Sequence, residues 1–103
     1  MHIVIFITSA SKTEALRIAR ALVEQKLVAC VNIVDKVLSL FWWKKKIDKA
    51  SEVLMVAKST RAKLDPIVKL VRSLHSYEIP EIIAFPVAGG NKDYLDWIDE
   101  SIG

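Results

Sequence analysis

The apolar positions of this chain change rhythm several times, and each change marks an element. Residues 2–8, HIVIFIT, are a short run rich in β-branched residues, which predicts a buried strand. Beyond it the rhythm becomes helical. Ala15, Ile18, Ala19, Leu22 and Val23 recur at helical spacing, while Arg17, Arg20 and Glu24 lie off that stripe. Ser11 followed by Glu14 is a capping box, so a helix is predicted over 11–26. LVACVNIVDKVLSLFWW at 27–43 is dense in Val, Ile, Leu and aromatics and predicts a long strand. Its alternation slips at Asp35–Lys36, as a bulge would make it. Lys44–Lys46 is the natural tip of a hairpin. The return strand puts Val53, Met55 and Ala57 on one face and Leu54, Val56 and Lys58 on the other.

A second helical stripe follows, made by Ile67, Leu70, Val71 and Leu74. Pro66 has no N–H and fits a first turn, which starts this helix near 61–63. IPEIIAFPV at 79–87 predicts a fourth strand, and Pro86 argues for a sheet edge or an early strand end. Gly89–Gly90 turn the chain and Asn91 caps a last helix from Lys92 to about Ser101, with Tyr94, Leu95 and Ile98 inward. The order β-α-β-β-α-β plus a terminal helix is the ferredoxin-like split arrangement, an α+β class, expected as a single domain over 1–103 with a long β2–β3 hairpin. It implies one antiparallel sheet with two helices on one face. Both faces of the long strands carry apolar residues, so the second face also needs cover. Packing against copies of the same chain supplies it.

Composition sharpens that expectation. A hydrophobic fraction of 52% and a mean hydropathy of +0.30 are high for 103 residues, because a small domain has much surface to cover with polar groups. No segment reaches the ~18 apolar residues of a membrane span, and the start reads as a strand rather than a signal peptide. No membrane partner is expected. The single cysteine, Cys30, allows no internal disulfide and suits a reducing cytoplasm, the location expected. A net charge of +3 permits an anionic partner without demanding one. The three glycines, at 89, 90 and 103, exclude a P-loop or a dinucleotide fingerprint. RNA-recognition modules share this element order, but their third strand carries stacking aromatics and EVLMVAKS has none. No nucleic-acid partner is expected.

Chemically capable side chains concentrate in LHSYEIPEI at 74–82. His75 reads either as a helix C-terminal cap or as a metal ligand. Cys30 reads as a core residue or as a soft metal ligand. Trp42 and Trp43 are adjacent on a strand and point to opposite faces, so one of them meets a partner or lines a pocket. Lys44, Lys45 and Lys46, with Lys36 and Lys49 nearby, make a basic tip that is either solvated or in contact with an acidic partner. Lys58 either snorkels or sits in a cleft opposite a carboxylate, with Tyr77 and Glu78 as natural partners. Pro80 confines Ile79 to extended backbone and launches the fourth strand.

Four segments, ACVNI at 29–33, FWWKKKI at 41–47, LHSYEIPEI at 74–82 and YLDWI at 94–98, together resemble the CutA family of divalent-cation tolerance proteins over nearly the whole chain. The resemblance implies a ferredoxin-like subunit in a tight homotrimer, similar in architecture to PII signalling proteins. It implies a cytoplasmic protein linked to metal-ion tolerance, with copper bound by some members and no catalytic reaction established for the family. On that reading the chain is not an enzyme. Its ligand is copper or another divalent cation, with His75 and Cys30 as candidate donors. The rival reading places the function in clefts between subunits, lined by Trp43, Lys58, Tyr77 and Glu78, which would bind a small anionic metabolite or host an uncharacterised reaction. Two departures from the family bear on these readings. Lys45 stands where the family hairpin has glycine, which costs about 1 kcal/mol if the turn needs a positive φ. Ile7 and Leu74 stand where members with assigned copper ligands have a Cys and the first His of a pair, and of that set only His75 is kept.

Overall fold

His2–Ser9 form β1, a central strand of the sheet in the computed structural model, which describes residues 1–103. The chain continues through α1 (Lys12–Glu24), β2 (Cys30–Trp43), β3 (Lys46–Thr60), a 3₁₀ turn (Arg61–Lys63), α2 (Leu64–Leu74), β4 (Ile82–Pro86) and α3 (Lys92–Ile102). The four strands form one sheet in the order β2-β3-β1-β4, and each neighbouring pair is antiparallel. The α+β class and the element order expected from the sequence hold. So does the edge position of the Pro86 strand.

Two boundaries move, each for a backbone reason. β2 begins at Cys30 rather than at residue 27, because the end of α1 uses the intervening residues. Lys26 takes a left-handed φ of 56°, its N–H bonds the Val23 carbonyl at 3.0 Å, and the Leu27 N–H bonds Leu22 at 3.0 Å. This is a Schellman closure, which satisfies carbonyls that the helix itself leaves open. β4 begins at Ile82 rather than at residue 79. Pro80 has no N–H to give a ladder, and pairing with β1 starts at Ile82 opposite Ile7. Pro66 lies at the third residue of α2, in the first turn, as its missing N–H requires.

One face of the sheet is covered by α1 and α2. Ile3, Ile5 and Ile7 of β1 and Val53, Met55 and Ala57 of β3 pack under Ala15, Ile18, Ala19 and Leu22 of α1 and Ile67 and Val71 of α2. The opposite face carries Val4, Phe6, Leu54 and Val56, with Ile83 and Phe85 exposed beside them. Phe6 and Phe85 meet edge to face at 5.0 Å. α3 covers one end of this face, where the Tyr94 hydroxyl reaches Cys30 Sγ at 3.5 Å and His2 Nε2 meets Asp99 at 3.0 Å.

β2 and β3 run past the body of the molecule as a long hairpin, which stretches the chain to 44 × 25 × 22 Å. Between the pairs Val34–Leu54 and Val37–Glu52, two residues of β2 face one of β3. This is the bulge expected at Asp35–Lys36. The hairpin closes in two residues, Lys44 and Lys45, with φ of 49° and 65°. Two positive φ values mark the turn whose twist suits a right-handed hairpin. The positive φ on which the cost of Lys45 depends is present.

Candidate functional site

The connection between α2 and β4 brings most of the site together. At the end of α2 the His75 backbone turns extended, while its N–H still bonds the Val71 carbonyl at 2.9 Å. The ring therefore does not cap the helix. It enters the protein and its side chain is 0% exposed. Nε2 lies 2.7 Å from the Thr8 carbonyl, which can only accept, so Nε2 is the donor. Nδ1 accepts from the Tyr77 N–H at 3.0 Å. Glu14 Oε1 lies 3.3 Å from the same Nδ1, and Ser9 Oγ donates to it at 3.2 Å. Burial alone would raise the Glu14 carboxyl. Hydrogen bonds from the Ser76 hydroxyl and N–H and from Ser9, together with the charge interaction with His75, outweigh burial and hold the carboxyl below its ordinary value. Glu14 is thus both the third residue of α1, whose N–H the Ser11 cap accepts, and the floor of this polar cluster.

Tyr77 leaves the cluster in the other direction. Its ring lies 4.8 Å from that of His75, and its hydroxyl donates to Glu52 Oε2 at 2.8 Å. Burial, and then the bond to Glu52, push the Tyr77 hydroxyl up to about 12. The tyrosine and its glutamate form one end of a groove of about 750 Å³ between the hairpin and the 77–81 segment. Phe41 and Trp43 line its hairpin wall, and Ile79, 88% exposed, stands at the opposite rim. Asp48, Glu52, Glu78 and Glu81 all line the groove, and no lysine, arginine or histidine does. One groove thus gathers four of the chain's 12 acidic residues although the whole chain is net positive.

Of the expected cleft residues, Trp43, Tyr77 and Glu78 are brought to this groove and Lys58 is not. Lys58 Nζ donates to Asn32 Oδ1, across the β2–β3 ladder. The two expected metal donors do not share a site. Cys30 lies level with Val4 through Lys58, whereas His75 is bonded at Thr8, four residues along β1 and roughly 13 Å further by the strand rise. Both His75 nitrogens are already engaged, and Ile7 is buried under the helices with no donor atom. The copper ligand set of the resemblance therefore does not fit this chain. No group of three or more His, Cys, Asp or Glu side chains converges on a point where one chain could hold a metal ion. The sequence reading missed Asp48 and Glu52. Both share the strand parity of the Trp43 face, a signal that becomes readable only once the turn residues fix the register.

The family model for "CutA1 divalent ion tolerance protein" matches residues 3–101. The chain belongs to the CutA1 family. A solved CutA1 structure from Thermus thermophilus is 42% identical and superposes with a TM-score of 0.98 over 100% of both chains. That of CutA from Archaeoglobus fulgidus is 46% identical, with a TM-score of 0.97 over 100% of both. A rice relative, "Protein CutA 1, chloroplastic", is 38% identical over 96% of this chain, which spans 56% of the relative's length. The CutA1 family is named for ion tolerance and not for a reaction. The cytoplasmic location expected from the lone cysteine is corrected by these relatives. The Archaeoglobus protein is described as periplasmic and the rice protein as chloroplastic. A chain with a single cysteine forms no internal disulfide in any compartment, so the thiol count carries no address.

Proposed function

We propose that this protein is a non-enzymatic homotrimer of single-domain, ferredoxin-like subunits that serves divalent-cation tolerance by binding the cation. The ligand is copper or another divalent ion, met at a subunit boundary by carboxylates of the groove rather than by His75 or Cys30. The observation that carries this reading is the acid lining of the groove, with four carboxylates and no basic side chain. Hard oxygen donors of this kind suit hard divalent cations such as Mg²⁺, Ca²⁺ or Mn²⁺ and suit copper less well. The donors of one chain do not converge, so the site needs a neighbour's contribution, and the partly bare sheet face supports a neighbour. The same lining disfavours a small anionic metabolite, which four carboxylates would repel.

Native mass spectrometry with and without Cu²⁺ or Zn²⁺ tests both halves of the proposal. The expected species is three times the 11.6 kDa subunit. Cation affinity should fall roughly tenfold or more in Asp48→Asn/Glu78→Gln and persist in Cys30→Ser. Uptake that survives the first variant and vanishes in the second would move the site to the thiol.

A further inference from the structure

We propose that the outer face of α1 and α2 docks the protein on an anionic phospholipid surface. This goes beyond the cation reading and rests on neither the groove nor the assembly. The charge of the chain is unevenly placed. Residues 12–26 and 61–74 hold eight of the 15 basic residues but three of the 12 acidic ones, which leaves seven basic against nine acidic residues elsewhere. One of those three acids, Glu14, is turned inward and buried. The fold brings the two basic segments side by side. The Arg17 guanidinium donates to the Leu74 carbonyl at one end, and Ser59 donates to the Leu27 carbonyl at the other, so the two helices lie antiparallel on the sheet. Ile18, Leu22, Ile67 and Val71 face the core. Helical spacing then turns Arg17, Arg20, Lys69 and Arg72 to solvent, and all four are exposed.

The chemistry of this face selects a layer of lipid headgroups. Three of those four cations are arginines, whose planar fork pairs with phosphate oxygens. Apolar side chains stand among them. Leu16, Arg20 and Val23 follow one another at i, i+4 and i+7 on α1, with Leu16 51% and Val23 43% exposed. A basic helix face with exposed aliphatic residues suits the plane of a bilayer interface, where cations meet phosphates and aliphatic groups meet the acyl boundary. A nucleic acid offers those aliphatic groups nothing, and neither helix carries an aromatic side chain on which a base would stack. The contact is peripheral: no helix is long and apolar enough to cross a membrane, and a surface contact needs none that is.

Vesicle cosedimentation at about 0.1 M salt tests the contact, with a chelator present so that no divalent cation bridges the groove to lipid. The wild-type chain should bind phosphatidylglycerol vesicles, ignore phosphatidylcholine vesicles and let go as salt rises. Arg20→Glu/Lys69→Glu/Arg72→Glu should weaken binding roughly tenfold or more. Arg20→Gln/Lys69→Gln/Arg72→Gln should show a smaller loss of the same kind, and it keeps the test open if the reversal unfolds the chain. Lys36→Glu/Lys49→Glu/Lys92→Glu makes the same change in net charge away from the helices and should stay within about threefold of wild type, since charges beyond a Debye length are screened. Leu16→Gln/Val23→Gln should bind more weakly and keep the wild-type salt dependence. Equal losses in the two charge-reversed chains reduce the contact to net charge and overturn the helix face. A wild-type chain that binds neither vesicle, or both alike, overturns the proposal outright. A chain that shifts duplex DNA in a gel and leaves phosphatidylglycerol vesicles unbound gives the face to nucleic acid and overturns the lipid contact.

Discussion

Four residues hold a left-handed backbone, Lys26, Lys36, Lys44 and Lys45, and none of the glycines does. A side chain in that region crowds its own carbonyl. Lys45→Gly should therefore stabilise the protein by about 1 kcal/mol, read as a higher denaturant midpoint at unchanged slope. Tyr77 offers a second test, with a direction in pH. Its hydroxyl ionises at 10.0 in an ordinary setting and at about 12 here. As pH rises past 10 the unfolded chain loses that proton first, so the tyrosine's contribution is complete below pH 10 and drains away toward 12. Tyr77→Phe should flatten stability over that alkaline window. At neutral pH it should cost about 1–3 kcal/mol, because Glu52, only 9% exposed, loses its donor. What the sequence could say at this scale was uneven. Ser11 was legible as an N-cap because that bond is local, and Ser11 Oγ does accept the Glu14 N–H at 3.2 Å; the return bond of the expected capping box is not made, because the Glu14 carboxylate is taken by Ser9 and Ser76. The inward turn of His75 was not, because its partner Thr8 lies 67 residues away.

Elements follow their local chemistry wherever a residue removes an option. Pro66 and Pro86 announced a first helical turn and an edge strand, and Asn91 accepts the Asp93 N–H at 3.1 Å as an N-cap should. The boundaries that moved lie where closure of an element depends on residues outside it. At the end of α1 the closing bonds run from Lys26 and Leu27 back into the helix, and Lys gives no warning of a left-handed φ as glycine would. Leu22 ties both levels together, since it is fully buried in the core and its carbonyl closes the helix. Leu22→Ala should cost about 2–5 kcal/mol in denaturant unfolding. The same change should speed hydrogen exchange at Leu27, whose amide is held by the Leu22 carbonyl.

At the scale of the whole molecule, two helices cover one sheet face while Ile83, Phe85 and much of the hairpin stay in solvent. That imbalance was legible in the sequence, because alternation put apolar residues on both faces of β3. The compartment was not, since nothing in the packing of a subunit depends on it. An obligate assembly that covers these surfaces should bury about 2,000 Å² or more in total. Its thermal midpoint should rise with protein concentration, as scanning calorimetry over a hundredfold dilution would register. Midpoints that stay fixed across that range would argue for an independent monomer. The hairpin also gives the molecule an optical property. Two of its three indoles, Trp42 and Trp43, sit beside the lysine turn, 73% and 59% exposed. Indole emission shifts to longer wavelength in water, so the colour of the protein's own fluorescence should redden as neighbours leave. Dilution or salt could then be followed by light alone, without a label.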